Sequence, residues 1–226
     1  MKQPLEKIDE NFFAQFKTAQ QFKKNQLIIG PAAEPSGIFY VKSGFVRLYL
    51  ISESGKELTL NIFKPGTYFS MIWALNNVPN IYFYESLTDV LLLKAPKEEV
   101  LKYITDNPKV LLDLTRRTLR GLDGMTRLME ALVTGTAYQQ IASVLLVLAR
   151  RFGKSKGKDH EITIELPLTH RIIGTLAGLS RESTSLELER LTKSKIISQK
   201  DHQILVKDLR KLEEKSPISF IEEIQF

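Results

Sequence analysis

Apolar and polar positions change their spacing twice along this chain of 226 residues. From about residue 19 to residue 95, short β-branched or aromatic runs alternate with turn residues, a pattern typical of strands. The runs lie at residues 27–29, 37–41, 45–51, 58–63 and 90–93. Residues 52–56, with sequence SESGK, predict a hairpin turn, and Pro65-Gly66 ends the next strand. Short strands at this spacing predict a jelly-roll or similar double-sheet barrel.

Helical spacing flanks this region on both sides. Residues 1–18 predict a lead helix that docks its phenylalanines on the core, and residues 97–105 predict a second short helix. Asn107-Pro108 is a typical start for a longer helix that ends near Gly135. Its heptad seam consists of Leu111, Thr118, Leu122, Met125, Met129 and Leu132. The spacing alone leaves open whether this seam covers the barrel of its own chain or pairs with a second chain.

Two short helices joined by a tight turn follow in the last third of the chain. The Thr169 hydroxyl can cap a first helix that ends at Gly178, and Ser180 can cap a second helix over residues 181–194. The inward face of the second helix is predicted to hold Thr184, Leu188 and Leu191. A strand at residues 161–166 precedes the pair. A hairpin of residues 195–198 and 204–207 follows it, as the wing of a winged helix.

The start of the second helix carries side chains that suit the edges of DNA bases. The fork of Arg181 matches guanine acceptors, the Glu182 carboxylate can accept from the cytosine amino group, and the Ser185 hydroxyl can do either. The alternative is an ordinary αα-hairpin in a helical core. A charged helix start beside a tight turn favours the DNA-reading interpretation, because a core helix avoids such residues.

Basic residues concentrate around this helix pair. Between Gln139 and Arg210 there are 13 Lys and Arg against 8 Asp and Glu, so five of the six formal positive charges lie there. Such a balance suits attraction to phosphates. The candidate backbone contacts are Thr169, His170, Arg171, Lys193, Lys195, Lys200 and His202.

The sequence GLSRE at residues 178–182 has Leu-Thr ten residues upstream and an apolar pair after the second helix. With these residues it resembles the Crp/Fnr family of bacterial transcription regulators. In that family the Arg-Glu pair at the start of the recognition helix contacts bases, which implies this role for Arg181 and Glu182. Ser185 matches a serine that some members use one turn later.

Two positions depart from the family pattern. Leu186 stands where an arginine is usual, and Glu187 stands where an apolar residue is usual. A solvent-facing Leu186 could touch a thymine methyl group or simply be a tolerated exposed residue, and both interpretations stay open. The operator of the better-known members therefore does not transfer to this chain.

The resemblance also implies an architecture. It implies a cyclic-nucleotide-binding barrel, with Gly44 and Pro65-Gly66 at its recurrent turns, and a long helix that pairs with its copy across a two-fold axis. Two recognition helices would then lie about 34 Å apart, which predicts an inverted repeat with half-sites one DNA turn apart.

The effector clamp of the nucleotide-binding members has no counterpart here. In those members a Gly-Glu-Leu segment follows the Pro-Gly strand, and an Arg-Ser or Arg-Thr pair holds the cyclic phosphate. Aligned from Gly66, the glycine and glutamate positions fall on Ser70 and Met71, and no arginine lies between Leu75 and Leu87. Without a cation the desolvation of the phosphate is uncompensated, so we do not expect cyclic AMP or cyclic GMP to bind.

An aromatic segment takes the place of the clamp. The candidate effector pocket consists of Phe69, Met71, Trp73, Tyr82 and Tyr84. An apolar effector or a haem could occupy it, or the aromatic side chains could fill the barrel and leave no ligand. A haem would need Tyr, Met or Lys as the axial ligand from the barrel, because all three histidines lie in the C-terminal half. No cofactor is predicted.

Composition excludes several classes of protein. With no cysteine, disulfides, thiolate-ligated iron–sulfur clusters and Cys-based zinc sites are excluded. The charged N-terminus and the short apolar runs predict no membrane segment and a cytoplasmic protein. No metal triad, nucleophile elbow, P-loop or pair of catalytic carboxylates can be assembled, so we do not expect an enzyme.

The sequence thus predicts an α+β protein in three parts. These are an effector-type β-barrel domain at residues 1–106, a dimerisation helix at 107–135 and a winged helix-turn-helix domain at 136–226. The favoured function is a homodimeric regulator that binds double-stranded DNA and, if it is an activator, RNA polymerase. The alternative is a small-molecule receptor that uses its winged helix for protein contact.

Overall fold

A long helix joins the two compact units of the fold. The computed structural model describes residues 8–155 and 161–218, and the boundary between the units, at residues 118 and 119, lies inside that helix. The predicted three-part division of the chain stays a prediction.

In the part of the first unit that the structure describes, eight strands form two four-stranded antiparallel sheets. The strands are β1 (Ala19–Phe22), β2 (Leu27–Ile29), β3 (Ile38–Ser43), β4 (Val46–Ile51), β5 (Glu57–Phe63), β6 (Tyr68–Phe69), β7 (Phe83–Ser86) and β8 (Val90–Ala95). One sheet has the order β1-β8-β3-β6 and the other β2-β7-β4-β5. The predicted α+β class with a double-sheet barrel is confirmed.

Among the described residues, four helices belong to this unit or begin in it. They are α1 (Glu10–Ala14), α2 (Met71–Asn76), α3 (Lys97–Asp106) and α4 (Pro108–Thr134). One apolar cluster lies between the two sheets and includes Phe39, Leu48 and Phe69. A second lies on the other face of the first sheet, where α1, α3 and the start of α4 bring in Phe13, Val100 and Val110. The first sheet is therefore buried on both faces.

The second unit holds the predicted helix pair in a small α+β arrangement. Its elements are α5 (Ala137–Phe152), β9 (Gly153–Ser155), β10 (Ile162–Ile164), α6 (His170–Ala177), α7 (Arg181–Lys193), β11 (Ile197–Lys200), β12 (Gln203–Val206) and α8 (Leu209–Glu214). The sheet order is β11-β12-β10-β9, all antiparallel, and β11 with β12 forms the wing. Helix α5 begins with a capping box, in which Thr136 and Gln139 each satisfy the other's backbone N–H. Its Ile141, Leu145 and Leu148 are buried.

Residues typical of turns and helix ends predicted the β4–β5 hairpin and the bounds of α4 correctly. The SESGK turn joins β4 to β5, with the Ser52 N–H donating to the Lys56 carbonyl at 2.9 Å and Gly55 at φ +77°. The long helix begins at Pro108 and ends one residue before Gly135, as the sequence indicates.

Several short elements escaped the prediction. The lead helix is only α1, because Lys17 adopts φ +51° and β1 begins at Ala19, so the predicted extension to residue 18 is wrong, while residues 1–7 lie outside the described part. Strand β6 has only two residues, and the N-cap residue of α2, Ser70, has φ +74° and makes no side-chain capping hydrogen bond. Elements this short give no period to detect. Also unpredicted were β1, β7, β9 and α8.

Candidate nucleic-acid interface

Helices α6 and α7 form a closely packed helix-turn-helix. Thr169 Oγ1 accepts from the Ile172 N–H at 3.2 Å, and Ser180 Oγ accepts from the Ser183 N–H at 3.1 Å, so both predicted caps are present. Gly178 closes α6 at φ +69°. A Cβ added to Gly174 would lie 2.8 Å from Thr184 Oγ1, so glycine is what allows the two helices to approach this closely.

Helix α7 has a buried face and an exposed face. Thr184, Leu188 and Leu191 are buried, which confirms the predicted inward face. Arg181, Glu182 and Leu186 are exposed, Leu186 to 57% of its surface. The exposed face thus begins with a cation and a carboxylate on adjacent residues of the first turn.

The first turn of α7 also keeps Glu182 ionised. A hydrogen bond from its own backbone N–H, together with the Ser180 hydroxyl and the Arg181 guanidinium, holds the pKa of Glu182 below its ordinary value. A helix N-terminus favours a negative charge in the same way. Glu182 is therefore available as an acceptor at neutral pH.

Two predicted contact residues bind each other. His170 Nδ1 lies 2.7 Å from Ser185 Oγ, and His170 Nε2 lies 2.9 Å from Gln199 Oε1. Gln199 Nε2 in turn donates to Thr192 Oγ1 at 3.3 Å. This network ties the start of α6, the middle of α7 and the wing strand β11 together. The half-buried Ser185 hydroxyl is therefore engaged within the protein.

The other candidate backbone contacts surround α7. Arg171, Lys195, Lys200 and His202 are exposed, the last two at the wing turn. The Lys193 ammonium pairs with Glu189 at 2.7 Å, but both side chains are largely exposed. An exposed pair of this kind contributes little to stability, because water and salt screen it, so Lys193 is able to exchange partners.

The seam of α4 leaves an apolar stripe uncovered. Leu111, Leu122, Met125 and Met129 are exposed, by between 47% and 59%. The role of this seam as a dimer contact stays a prediction. Thr118 is exposed and donates its hydroxyl to the Leu114 carbonyl, whereas Leu132 is half-buried. Exposed apolar residues that the seam did not include extend the stripe: Leu112, Leu119 and Val133. Large exposed apolar patches are typical of interaction surfaces.

The candidate effector residues fall into two separate clusters. Phe69, Tyr82 and Tyr84 belong to the cluster between the sheets, whereas Met71 and Trp73 pack against the cluster formed with α1, α3 and α4. The structure therefore does not bring the five residues into one pocket.

Aromatic rings occupy the space between the sheets. The Phe69 ring stacks on Phe39 at 5.2 Å and on Tyr84 at 5.0 Å between centroids, and Phe63 lies 5.3 Å from it. Burial raises the pKa of Tyr84 to about 12, with a hydrogen bond from the Ser70 backbone opposing part of the shift, so the phenol stays neutral.

Known proteins share both halves of this arrangement. Residues 19–107 match the cyclic nucleotide-binding domain family, and residues 139–215 match the Crp-like helix-turn-helix domain family. The transcriptional regulator SdrP of Thermus thermophilus is 29% identical over 202 residues, covering 88% of this chain and 95% of that protein. The global nitrogen regulator of Nostoc sp. is 28% identical over 200 residues, covering 83% and 87%. The crystal structure of TTHA1359, a CRP/FNR-family transcriptional regulator from Thermus thermophilus, has a TM-score of 0.66 at 27% identity, covering 87% of this chain and 97% of that one.

The chain belongs to the Crp/Fnr family of bacterial transcription regulators. The Crp/Fnr relatives named above are transcription regulators rather than enzymes. In this Crp/Fnr chain the cyclic nucleotide-binding match ends just before α4, and the helix-turn-helix match runs from α5 to the end of α8. The predicted family is confirmed.

At the effector segment this Crp/Fnr member has its own local structure. Ser70, at the position of the family's glycine, is 2% exposed, and among the described residues its hydroxyl has no hydrogen-bond partner. A buried arginine does exist in the barrel domain, but Arg47 is held by Glu57 at 2.7 Å and stacks on Tyr49 at 4.1 Å. Its guanidinium is engaged with protein groups.

Sequence reasoning missed one polar cluster in the helix-turn-helix domain of this Crp/Fnr chain. Glu187 is buried and pairs with Arg190, whose guanidinium lies over the ring of Tyr138. The only signal was an acidic residue at a family position that is usually apolar. In the described ranges, no helix is long and apolar enough to cross a membrane, and no three His, Asp or Glu side chains are grouped as metal ligands.

Proposed function

We propose that this Crp/Fnr protein is a homodimeric, sequence-specific DNA-binding regulator that reads an inverted repeat through α7. The observation that carries the proposal is the division of α7 into a buried apolar face and an exposed face headed by Arg181 and Glu182. A helix that served only as core would not present two charged side chains of this kind at a tight turn.

The exposed groups have distinct roles in base reading. Arg181 donates to guanine, Glu182 accepts from cytosine, and Leu186 lies against a thymine methyl group. Ser185 reads a base only by exchanging its hydrogen bond with His170. Of the candidate phosphate contacts, Arg171, Lys193, Lys195, Lys200 and His202 supply affinity and register rather than sequence choice, and Thr169 contributes mainly by capping α6.

The apolar stripe on α4 is the dimer contact. A helix face with Leu122, Met125 and Met129 exposed costs hydration free energy in a monomer and is suited to pair with its copy. A two-fold dimer sets the spacing of its reading heads, so the half-sites lie about 34 Å apart.

The barrel is part of the scaffold and needs no cyclic nucleotide. The stack of Phe39, Phe69 and Tyr84 supports an interior filled by the protein's own rings. The free dimer then binds its operator without an effector in the cytoplasm, where it also contacts RNA polymerase if it activates transcription.

Selection from a random DNA library by the purified protein, with no effector added and at about 0.15 M salt, tests the proposal, since non-specific binding is held down there. We expect an inverted repeat, and sedimentation should give a dimer. A folded dimer that selects no sequence, and binds DNA weakly or without salt dependence, would instead support a receptor that uses its winged helix for protein contact.

A further inference from the structure

The recognition helix carries an acidic residue on its inner face. Glu187 is only 7% exposed, although its neighbours on that face, Leu188 and Leu191, are apolar. A carboxylate in such a position is costly unless a cation and hydrogen bonds compensate for its lost hydration. Arg190 on the same helix provides that compensation, since its Nη1 lies 2.8 Å from Glu187 Oε2.

The guanidinium of Arg190 also contacts a second helix. Its Cζ lies 4.8 Å from the centroid of the Tyr138 ring, within the range of a cation–π contact. Glu187 and Arg190 border one cleft of about 440 Å³ together with the first turn of α5, residues 136–139. The ion pair on α7 is thus held against the beginning of α5.

That first turn is itself firmly attached to the end of α4. Gln140 Nε2 donates to the Leu132 carbonyl at 2.6 Å. The capping box fixes Thr136, and a Cβ on Gly135 would lie 2.5 Å from the Ala131 carbonyl oxygen, so the corner is tightly packed. Tyr138 therefore moves with the end of α4 rather than independently of it.

We propose that Glu187, Arg190 and Tyr138 form a clasp that sets the orientation of the recognition helix relative to the α4–α5 corner. This inference rests on the proposed DNA-reading function of α7. The three side chains are positioning residues, and none of them is a base contact. Glu187 holds Arg190 in place, and Arg190 on the ring of Tyr138 fixes the angle at which Arg181 and Glu182 are presented.

The chain offers a matched pair of variants to test the clasp. Glu187→Gln and Glu189→Gln each remove one negative charge from α7, but Glu189 pairs with Lys193 on the exposed face. Any general electrostatic gain in DNA affinity is therefore shared. We expect the ratio of specific to non-specific DNA affinity to fall about fivefold in Glu187→Gln and to stay at the wild-type value in Glu189→Gln.

The Tyr138 side of the clasp gives an independent test. Tyr138→Phe keeps the ring face and should behave as wild type, whereas Tyr138→Leu should lower the specificity ratio as Glu187→Gln does. The effects should not add: Glu187→Gln combined with Arg190→Gln should be no worse than the more affected single variant, since both act on one unit. Thermal unfolding and the salt slope should change little in Glu187→Gln and in the Tyr138 variants, whereas Arg190→Gln alone should unfold at a lower temperature because it leaves the buried Glu187 carboxylate without its cation.

The outcomes separate the clasp from the proposed function. If wild type selects DNA, Arg181→Ala loses selectivity and Glu187→Gln matches Glu189→Gln, the clasp is overturned and DNA reading stands. A Glu187→Gln variant that only unfolds at lower temperature, with an unchanged specificity ratio, also overturns it, because the residue is then merely structural. If wild type selects no sequence, both proposals fail.

Discussion

The interior of the barrel and the first turn of α7 differ in how far they keep the chemistry of the Crp/Fnr family. At α7 the caps, the tight turn and the Arg181-Glu182 pair are all in place and exposed. In the barrel the sheets and turns are kept, but stacked rings occupy the interior and the segment of the phosphate clamp has no arginine. A family fold can therefore conserve the geometry of a domain while its ligand chemistry is replaced.

The largest effect is expected from opening the barrel interior. Phe69 is 2% exposed, and its ring stacks on two others, so Phe69→Ala should reduce the free energy of unfolding by about 3–5 kcal/mol. Urea unfolding of the purified protein measures this. Phe22→Ala, at a phenylalanine that is only partly buried in β1, is the control and should cost clearly less.

The Phe69→Ala variant also tests whether the barrel has room for a ligand. The cavity left by Phe69→Ala is apolar, and such cavities bind small aromatic molecules. Indole should raise the melting temperature of Phe69→Ala and leave that of the wild type unchanged. A wild-type protein that indole or haem stabilises equally would contradict the idea that its own rings fill the barrel.

The next largest effect is expected from a charge placed in the apolar stripe of α4. Leu122 is 59% exposed in the chain, so Leu122→Glu should not disturb the fold, but in a dimer it would bury carboxylates in an apolar seam. We expect a monomer by sedimentation and a loss of roughly 100-fold in affinity for the inverted repeat, because the second reading head is no longer linked to the first.

Arg120→Glu, at an exposed position about 160° around the same helix from Leu122, is the control for added negative charge. It should remain a dimer. A Leu122→Glu protein that stays dimeric would place the subunit contact somewhere other than this stripe.

Removing the reading group itself should have a smaller but selective effect. Arg181→Ala should cost about 1–3 kcal/mol of specific binding and leave non-specific binding nearly intact, because a guanine contact is lost while most phosphate contacts remain. Fluorescence anisotropy on the selected site and on a scrambled duplex separates the two. Equal losses on both duplexes would assign Arg181 to the DNA backbone instead.

The features that the sequence predicts correctly are those that depend on residues close together in the chain. Thr169, Gly178 and Ser180 act within one turn of their own position, so their roles were visible in the sequence, and all three caps are present. Pairings between distant segments were not visible, such as His170 with Ser185, or Arg190 with Tyr138. In the barrel, five aromatic and apolar residues suggested one pocket. Phe69, Tyr82 and Tyr84 belong to one cluster, however, and Met71 and Trp73 pack against the other. Side-chain direction in so short a strand and helix depends on tertiary packing.

The smallest effect should come from the loss of a single phosphate contact. Unlike the loss of Arg181, it should weaken binding to every DNA sequence equally. Lys193 is exposed and pairs with Glu189, so binding a phosphate means giving up a weak pair for a stronger, charge-assisted contact. Lys193→Gln should therefore lower the slope of log affinity against log salt by about one unit, equally on selected and scrambled duplexes. Lys102→Gln removes the same charge from α3 of the barrel domain and should leave the slope unchanged. A change in sequence preference with Lys193→Gln would mean that reading extends to the last turn of α7, beyond the exposed groups at its start.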